Sequence, residues 1–135
     1  MRRARTMALA IAAVLLIPVA SAQAAGFDVQ MKAPTHHPKV GKDWKITVTA
    51  KRTGSGKPVH GAAFYEFLYG GAVVSKQYPA PKGGPAKSPW HFTGSFTDTL
   101  TFPKRSVGEP LTFRVVVRAG PLGTAHADYP IRVVE

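Results

Sequence analysis

The chain has 135 residues, with 18 lysines and arginines against seven acids, no cysteine and no asparagine. Without cysteine there can be no disulfide, thiol nucleophile, thiolate metal centre or acylated N-terminal cysteine, and without asparagine there is no N-glycosylation. A formal charge of +11 suits contact with anionic partners, or a protein that repels its own copies.

Arg2, Arg3 and Arg5 precede an apolar run over residues 7–20 that contains Pro18, and Ala22-Gln23-Ala24 follows as a small-x-small site. This is the layout of a bacterial secretory signal peptide, residues 1–24. The run is shorter than the roughly 20 residues a helix needs to cross a bilayer. The Arg2-Arg3 pair lacks the rest of a twin-arginine motif. Cleavage after Ala24 removes 24 of the 135 residues and leaves 111, a length suited to one domain over 25–135. Three of the 18 basic residues leave with the signal, so 15 remain against seven acids, a formal +8. No later stretch is apolar for long enough to anchor, so no stable membrane insertion is expected after cleavage. Export to the periplasm, the envelope or the medium also takes the chain away from nucleic acid, which is not an expected partner.

From residue 27 on, hydrophobicity alternates with a period of two rather than 3.6. Phe27, Val29 and Met31 alternate with Asp28, Gln30 and Lys32. Trp44, Ile46, Val48 and Ala50 alternate with Lys45, Thr47, Thr49 and Lys51, the pattern of a strand with one wet face. Residues 62–69 are aromatic-rich and fit either face. Gly70-Gly71 supplies a two-residue turn, and residues 72–77 return as its partner. Pro79, Pro81, Pro85 and Pro89 surround Gly83-Gly84 and predict a loop over 78–89. Phe96, Leu100 and Phe102 share a face with Asp98, and Thr97, Thr99 and Thr101 lie opposite. Leu111, Phe113, Val115 and Val117 alternate with Thr112, Arg114, Val116 and Arg118. After a turn at 120–123, Tyr129, Ile131 and Val133 face one way, Asp128 and Arg132 the other. Pro130 lies in this last strand and has no N–H to donate, which predicts a sheet edge or a local break. No segment reads as helix. About seven short strands, spaced near ten residues apart, predict an all-β antiparallel sandwich.

The stretch Gly56-Lys57-Pro58-Val59-His60-Gly61-Ala62 resembles the G-x-P-V-x-G-A turn of bacterial immunoglobulin-like domains. Gly41 before the Trp44 strand, the run 98–103 and Gly108-Glu109-Pro110 before the next strand are similar too. The resemblance implies an immunoglobulin-like β-sandwich of the kind found in secreted and cell-surface proteins, including invasin-type adhesins. The chain lacks the cysteine pair and central tryptophan of antibody-type domains; Trp44 stands on the second strand instead. In an immunoglobulin-like order the aromatic strand lies beside the 111–118 strand, which lies beside the last. Arg114, Arg118 and Arg132 then share an outer face, joined by Glu66 if Tyr65, Phe67 and Tyr69 point inward.

Two surfaces qualify for binding. The loop 78–89 holds Lys82 and Lys87 between Tyr78 and Trp90, and aromatic plus basic residues suit sugars, anionic polymers or a protein groove. The Arg114, Arg118 and Arg132 face is the second. The expected function is therefore an exported, non-enzymatic module, without cofactor, acting in surface recognition or as an envelope structural component. Its expected partner is an anionic envelope polymer or a protein. The alternative is an exported protein binding copper or zinc through His36, His37, His60 or His126, two of which could converge at one end of the sandwich. No histidine pair, His91 included, has a helical or zinc-ribbon spacing, and Met31 is the one thioether left once the signal is gone. Catalysis has little to build on: the seven acids form no spaced pair, and there is no G-x-S-x-G elbow. Gly54-Ser55-Gly56-Lys57 is followed by Pro58, not by the hydroxyl residue and helix of a phosphate loop. Asp98, on an apolar face, is expected either to be clasped by nearby backbone amides at a bulge or to lie at a strand end near solvent, because an unpaired buried carboxylate is costly.

Overall fold

The computed structural model describes residues 25–135, and the expected secretory signal at 1–24 lies outside the described residues. Within them are eight strands: β1 (Phe27–Lys32), β2 (Trp44–Arg52), β3 (His60–Tyr69), β4 (Ala72–Gln77), β5 (Trp90–Thr93), β6 (Ser95–Leu100), β7 (Pro110–Arg118) and β8 (Thr124–Arg132). All pair antiparallel. One sheet has the order β1-β2-β6; the other has β4-β3-β7-β8, with β5 pairing the start of β3. Two sheets in this order make an all-β sandwich of immunoglobulin type.

Alternation builds the core. Trp44, Ile46, Val48 and Ala50 of β2 face Ala63, Tyr65 and Phe67 of β3 and Phe113, Val115 and Val117 of β7. Trp44 is the centre of an aromatic cluster, edge-on to Phe102 and Phe113 with ring centroids 5.5 Å away in each case. Its indole N–H donates to the Thr35 carbonyl at 2.9 Å, so the one polar atom of a buried ring is satisfied.

The strand count exceeds the expected seven because 90–100 is two strands. Gly94, at φ +81°, turns the chain between them, so β5 pairs β3 in one sheet and β6 pairs β2 in the other. The resemblance-bearing turn closes this same corner. The Val59 N–H donates to Ala50 (3.1 Å), the Gly94 N–H donates to Val59 (3.0 Å) and the Ala50 N–H donates to Gly94 (2.8 Å). Two residues on, Gly61 has no room for a side chain: a Cβ there would lie 2.8 Å from Val117 Cγ1 and 2.9 Å from the Arg118 carbonyl.

β8 is an edge strand, the first of the two settings that Pro130 predicts. Residues 36–40 run alongside its end. The Arg132 N–H donates to the His36 carbonyl and the Val134 N–H to the Pro38 carbonyl, both at 2.9 Å. The Pro130 carbonyl, pointing the same way, accepts from His36 Nδ1. The missing N–H of Pro130 therefore falls on the side away from β7 and costs no bond between β7 and β8.

Candidate functional site

Rows of side chains cross the outer face of the larger sheet, three of them through the arginine-bearing part of β7. The first is Lys76, Glu66, Arg114 and Asp128, one from each strand in register. Arg114 Nε donates to Asp128 Oδ1 at 2.7 Å and Nη2 to Oδ2 at 3.1 Å, and its Nη1 lies 3.7 Å from Glu66. The hydrogen bonds that Arg114 donates to Asp128 and the charges of both carboxylates raise its pKa, against a smaller lowering by partial burial. The second row is Phe64, Val116 and His126; the third is His91, Ala62, Arg118 and Thr124.

Phe64, Leu68 and Val116 are buried although they face away from the core. For Phe64 the cover is cationic: Lys76 Nζ lies 4.4 Å and Arg118 Cζ 4.9 Å from its ring centroid. Both set the charged group itself over the ring, where the negative face of the π-system attracts it. Apolar residues on both faces are why 62–69 fits either register in the sequence. Tyr65 and Phe67 do point inward and Glu66 joins Arg114. Tyr69 departs from that expectation: it ends β3 at the hairpin, beyond the core, and is 49% exposed. The three arginines share the face in different states. Arg114 is held by two carboxylates, Arg132 Nη1 donates to the Gly108 carbonyl at 2.6 Å, and Arg118 rests on Phe64.

The loop 78–89 leaves β4 on the same edge. Lys82 and Lys87 are exposed, whereas Tyr78 is half-buried with its ring 5.7 Å from Lys76 Nζ, and Trp90 packs against the core. Beside the loop is a feature that alternation did not single out. β4 pairs in register through Ser75, slips at Phe67/Leu68, and resumes at Val73, leaving Val74 outside the ladder. Val73 is 51% and Val74 58% exposed. With Tyr69 they are the large apolar side chains that the described residues expose, and all three sit on one hairpin. Between β4 and β6 a cleft of about 170 Å³ opens, lined by Phe67, Val74, Leu100, Phe102 and Arg105. On the opposite side of the sandwich, β1 packs against β8.

The histidines are dispersed. His36 stacks on Tyr129 (3.9 Å, 6°) and lines a cleft with His37 at the Arg132 end of β8. Because a carbonyl only accepts, the bond to Pro130 puts the proton on His36 Nδ1. His126 lies 3.8 Å from Asp128. His60 stands at the other end of the sheet, where it meets His91 with ring centroids 6.3 Å apart. Among the described residues no three or more metal-ligating side chains come together.

Asp98 is 5% exposed and fully engaged. Its Oδ1 accepts from the Thr99 N–H at 2.9 Å; its Oδ2 accepts from the Ala80 N–H at 3.3 Å and from the Tyr65 hydroxyl at 2.7 Å. Of the two expected surroundings, amide clasp or solvent, the fold supplies the amide clasp, and it adds the tyrosine from the facing sheet. Burial, then the hydrogen bond to and charge of Asp98, push the Tyr65 hydroxyl far above its ordinary pKa.

No protein-family model and no curated protein matches the chain. Several solved structures do. A candidate superoxide reductase from Thermotoga maritima superposes over 79% of this chain and 86% of its own, with a TM-score of 0.51 and 14% identity. A domain of the outer membrane lipoprotein Omp28 from Porphyromonas gingivalis matches over 82% of this chain and 100% of its own, at 0.49 and 13% identity. The CARDB domain of a Pyrococcus furiosus protein, solved in complex with di-metal ions, matches over 82% and 89%, at 0.47 and 16% identity. At such identities the first likeness bears on the fold alone, a β-sandwich, and chemistry does not carry over with it.

Proposed function

We propose that this chain is an exported, non-enzymatic module of the bacterial immunoglobulin-like kind, acting by surface recognition in the cell envelope. The observation that carries this reading is the gathering of Tyr69, Val73 and Val74 on one hairpin, at the side of the sandwich where β4 and β6 stand apart. An exposed apolar patch on an edge strand is a surface for contact with another chain. The partner that suits it is a protein offering an extended, acidic segment. Such a segment can add to β4, place an apolar side chain in the cleft, and set its carboxylates against Lys76, Lys82, Lys87 and Arg105. The Arg118 face and the loop lysines would suit an anionic envelope polymer as the other partner.

Binding of the purified protein to envelope fractions of its own host tests this, with and without prior protease treatment. The expected result is binding that protease abolishes, that weakens as salt rises, and that falls by about tenfold or more in Val73→Lys/Val74→Lys, in line with loss of a buried apolar anchor. Binding that survives protease makes the polymer the partner. Binding unchanged in the double variant removes the β4 edge from the proposal.

A further inference from the structure

A second surface lies at the other end of the larger sheet, well apart from the β4 hairpin. At Ala62, β3 is flanked by His91 of β5 and by Arg118 of β7, all in one row. The side chain in the middle is a methyl group. Two strand spacings put the flanking Cβ atoms roughly 10 Å apart, with a trough between them. His60, two residues before Ala62 on the same face, closes one end beside His91, and the turn at 119–121 closes the other. The resulting cleft has a volume of about 350 Å³.

The charge in this cleft has one sign. His60, His91 and Arg118 line it, and no carboxylate does. The carboxylates on the same face, Glu66 and Asp128, sit four residues farther along their strands, roughly 13 Å away, and both are committed to Arg114. From β8, the row ends in Thr124, and His126 beyond it faces Asp128. His60 Nδ1 is bonded to Thr93 Oγ1 at 2.8 Å, which fixes the ring and leaves Nε2 unbonded among the described residues. Two stacked imidazoles with centroids 6.3 Å apart repel one another once both are protonated. An anion between them and the guanidinium relieves that repulsion; a dication meets a fixed positive charge at Arg118 and finds only two ligands.

We infer that this trough binds a phosphate-type oxyanion, taken by His60, His91 and Arg118, and that it does so more tightly as the two imidazoles gain protons. The chemistry is shared by free phosphate and by the phosphodiesters of an anionic envelope polymer. The site is independent of the β4 edge, so either proposal can fail alone.

Calorimetric titration of the purified protein with inorganic phosphate, at about pH 5.5 and about pH 8 in low salt, compares conditions that favour and disfavour a protonated histidine. Binding is expected at the lower pH and about tenfold weaker at the higher, with loss of about tenfold in Arg118→Ala and in His60→Ala/His91→Ala, the cost of one charge-assisted contact. Val73→Lys/Val74→Lys should bind phosphate as the parent does. A poly(glycerol phosphate) chain that binds more tightly than glycerol phosphate supports the polymer as the source; equal affinity supports the free ion. No heat with phosphate at either pH overturns the inference, as does phosphate binding indifferent to Arg118→Ala. Zinc binding at about pH 8 that Arg118→Ala strengthens and the double histidine variant abolishes would overturn it in favour of a metal site.

Discussion

Two residues in the fold carry constraints that single substitutions expose. Tyr65 gives Asp98 its hydroxyl donor, and among the described residues Asp98 forms no ion pair, so this bond links the two sheets through a charged acceptor. Tyr65→Phe should lower stability near neutral pH by about 2 kcal/mol, the usual worth of a hydrogen bond to a charged group. It should also change the alkaline limb of the stability curve. The folded chain holds the Tyr65 proton well above its ordinary value, while the unfolded chain releases it near pH 10. Stability from this group is therefore complete below about pH 10 and is lost as the pH rises further. Urea unfolding at a series of pH values should show a shallower alkaline decline in the variant; an unchanged slope would contradict a proton held by burial and Asp98. Gly61 is constrained by space rather than by φ. Adding one methyl, Gly61→Ala, should cost about 1–3 kcal/mol by overpacking against Val117 and the Arg118 carbonyl. A melting temperature equal to that of the parent would mean that β7 yields at no cost.

Among the elements, the least expected is the stretch 36–40 that covers the edge of β8. His36 fastens it twice, by its ring on Tyr129 and by Nδ1–H on the Pro130 carbonyl. His36→Ala should therefore speed amide exchange at Val40, Arg132 and Val134 by about fivefold or more, the factor that corresponds to 1 kcal/mol, and leave β2 and β7 unchanged. Equal acceleration throughout the chain would mean that His36 supports the whole fold and not this edge. The strands themselves were legible, because a sandwich writes its inward faces as alternation: β2 follows it residue by residue, β7 follows it on its inward face but also buries Val116 on the outer one, and Gly70-Gly71 and Pro130 mark a hairpin and an edge. The division into β5 and β6 was not, since Trp90, Phe92 and Phe96 keep a spacing of two across Gly94 and give no sign of which sheet each half joins. Side-chain partners chosen across the fold were hidden for the same reason. Asp98 is visibly out of pattern, yet Tyr65 as its donor, and His91 as the neighbour of His60, depend on which strands lie side by side. The Val73 and Val74 edge was obscured by the bulge, which breaks the period that an alternation argument needs.

At the scale of the whole molecule, the sandwich has two unlike sides. One is shut, with β1 against β8 and residues 36–40 over the edge; the other is open, with β4 bearing exposed valines beside an apolar cleft. An edge strand of this kind is a template for self-pairing, and Lys76 is the one charge on it. What opposes self-pairing is the net charge of residues 25–135, which hold 15 basic residues against seven acids. Repulsion between like-charged copies acts through solvent and fades when the Debye length falls from about 10 Å at 0.1 M salt to about 3 Å at 1 M. Apolar contact does not fade in this way. The protein should therefore sediment as a monomer in dilute buffer and associate as salt is raised, the reverse of its expected binding to an acidic partner. Val74→Lys should keep it monomeric at both salts with stability within about 0.5 kcal/mol of the parent, because the residue it replaces is already more than half exposed. Association at high salt that persists in Val74→Lys would place the self-contact elsewhere, and a monomer at every salt concentration would mean that the bulge alone is enough to protect the edge.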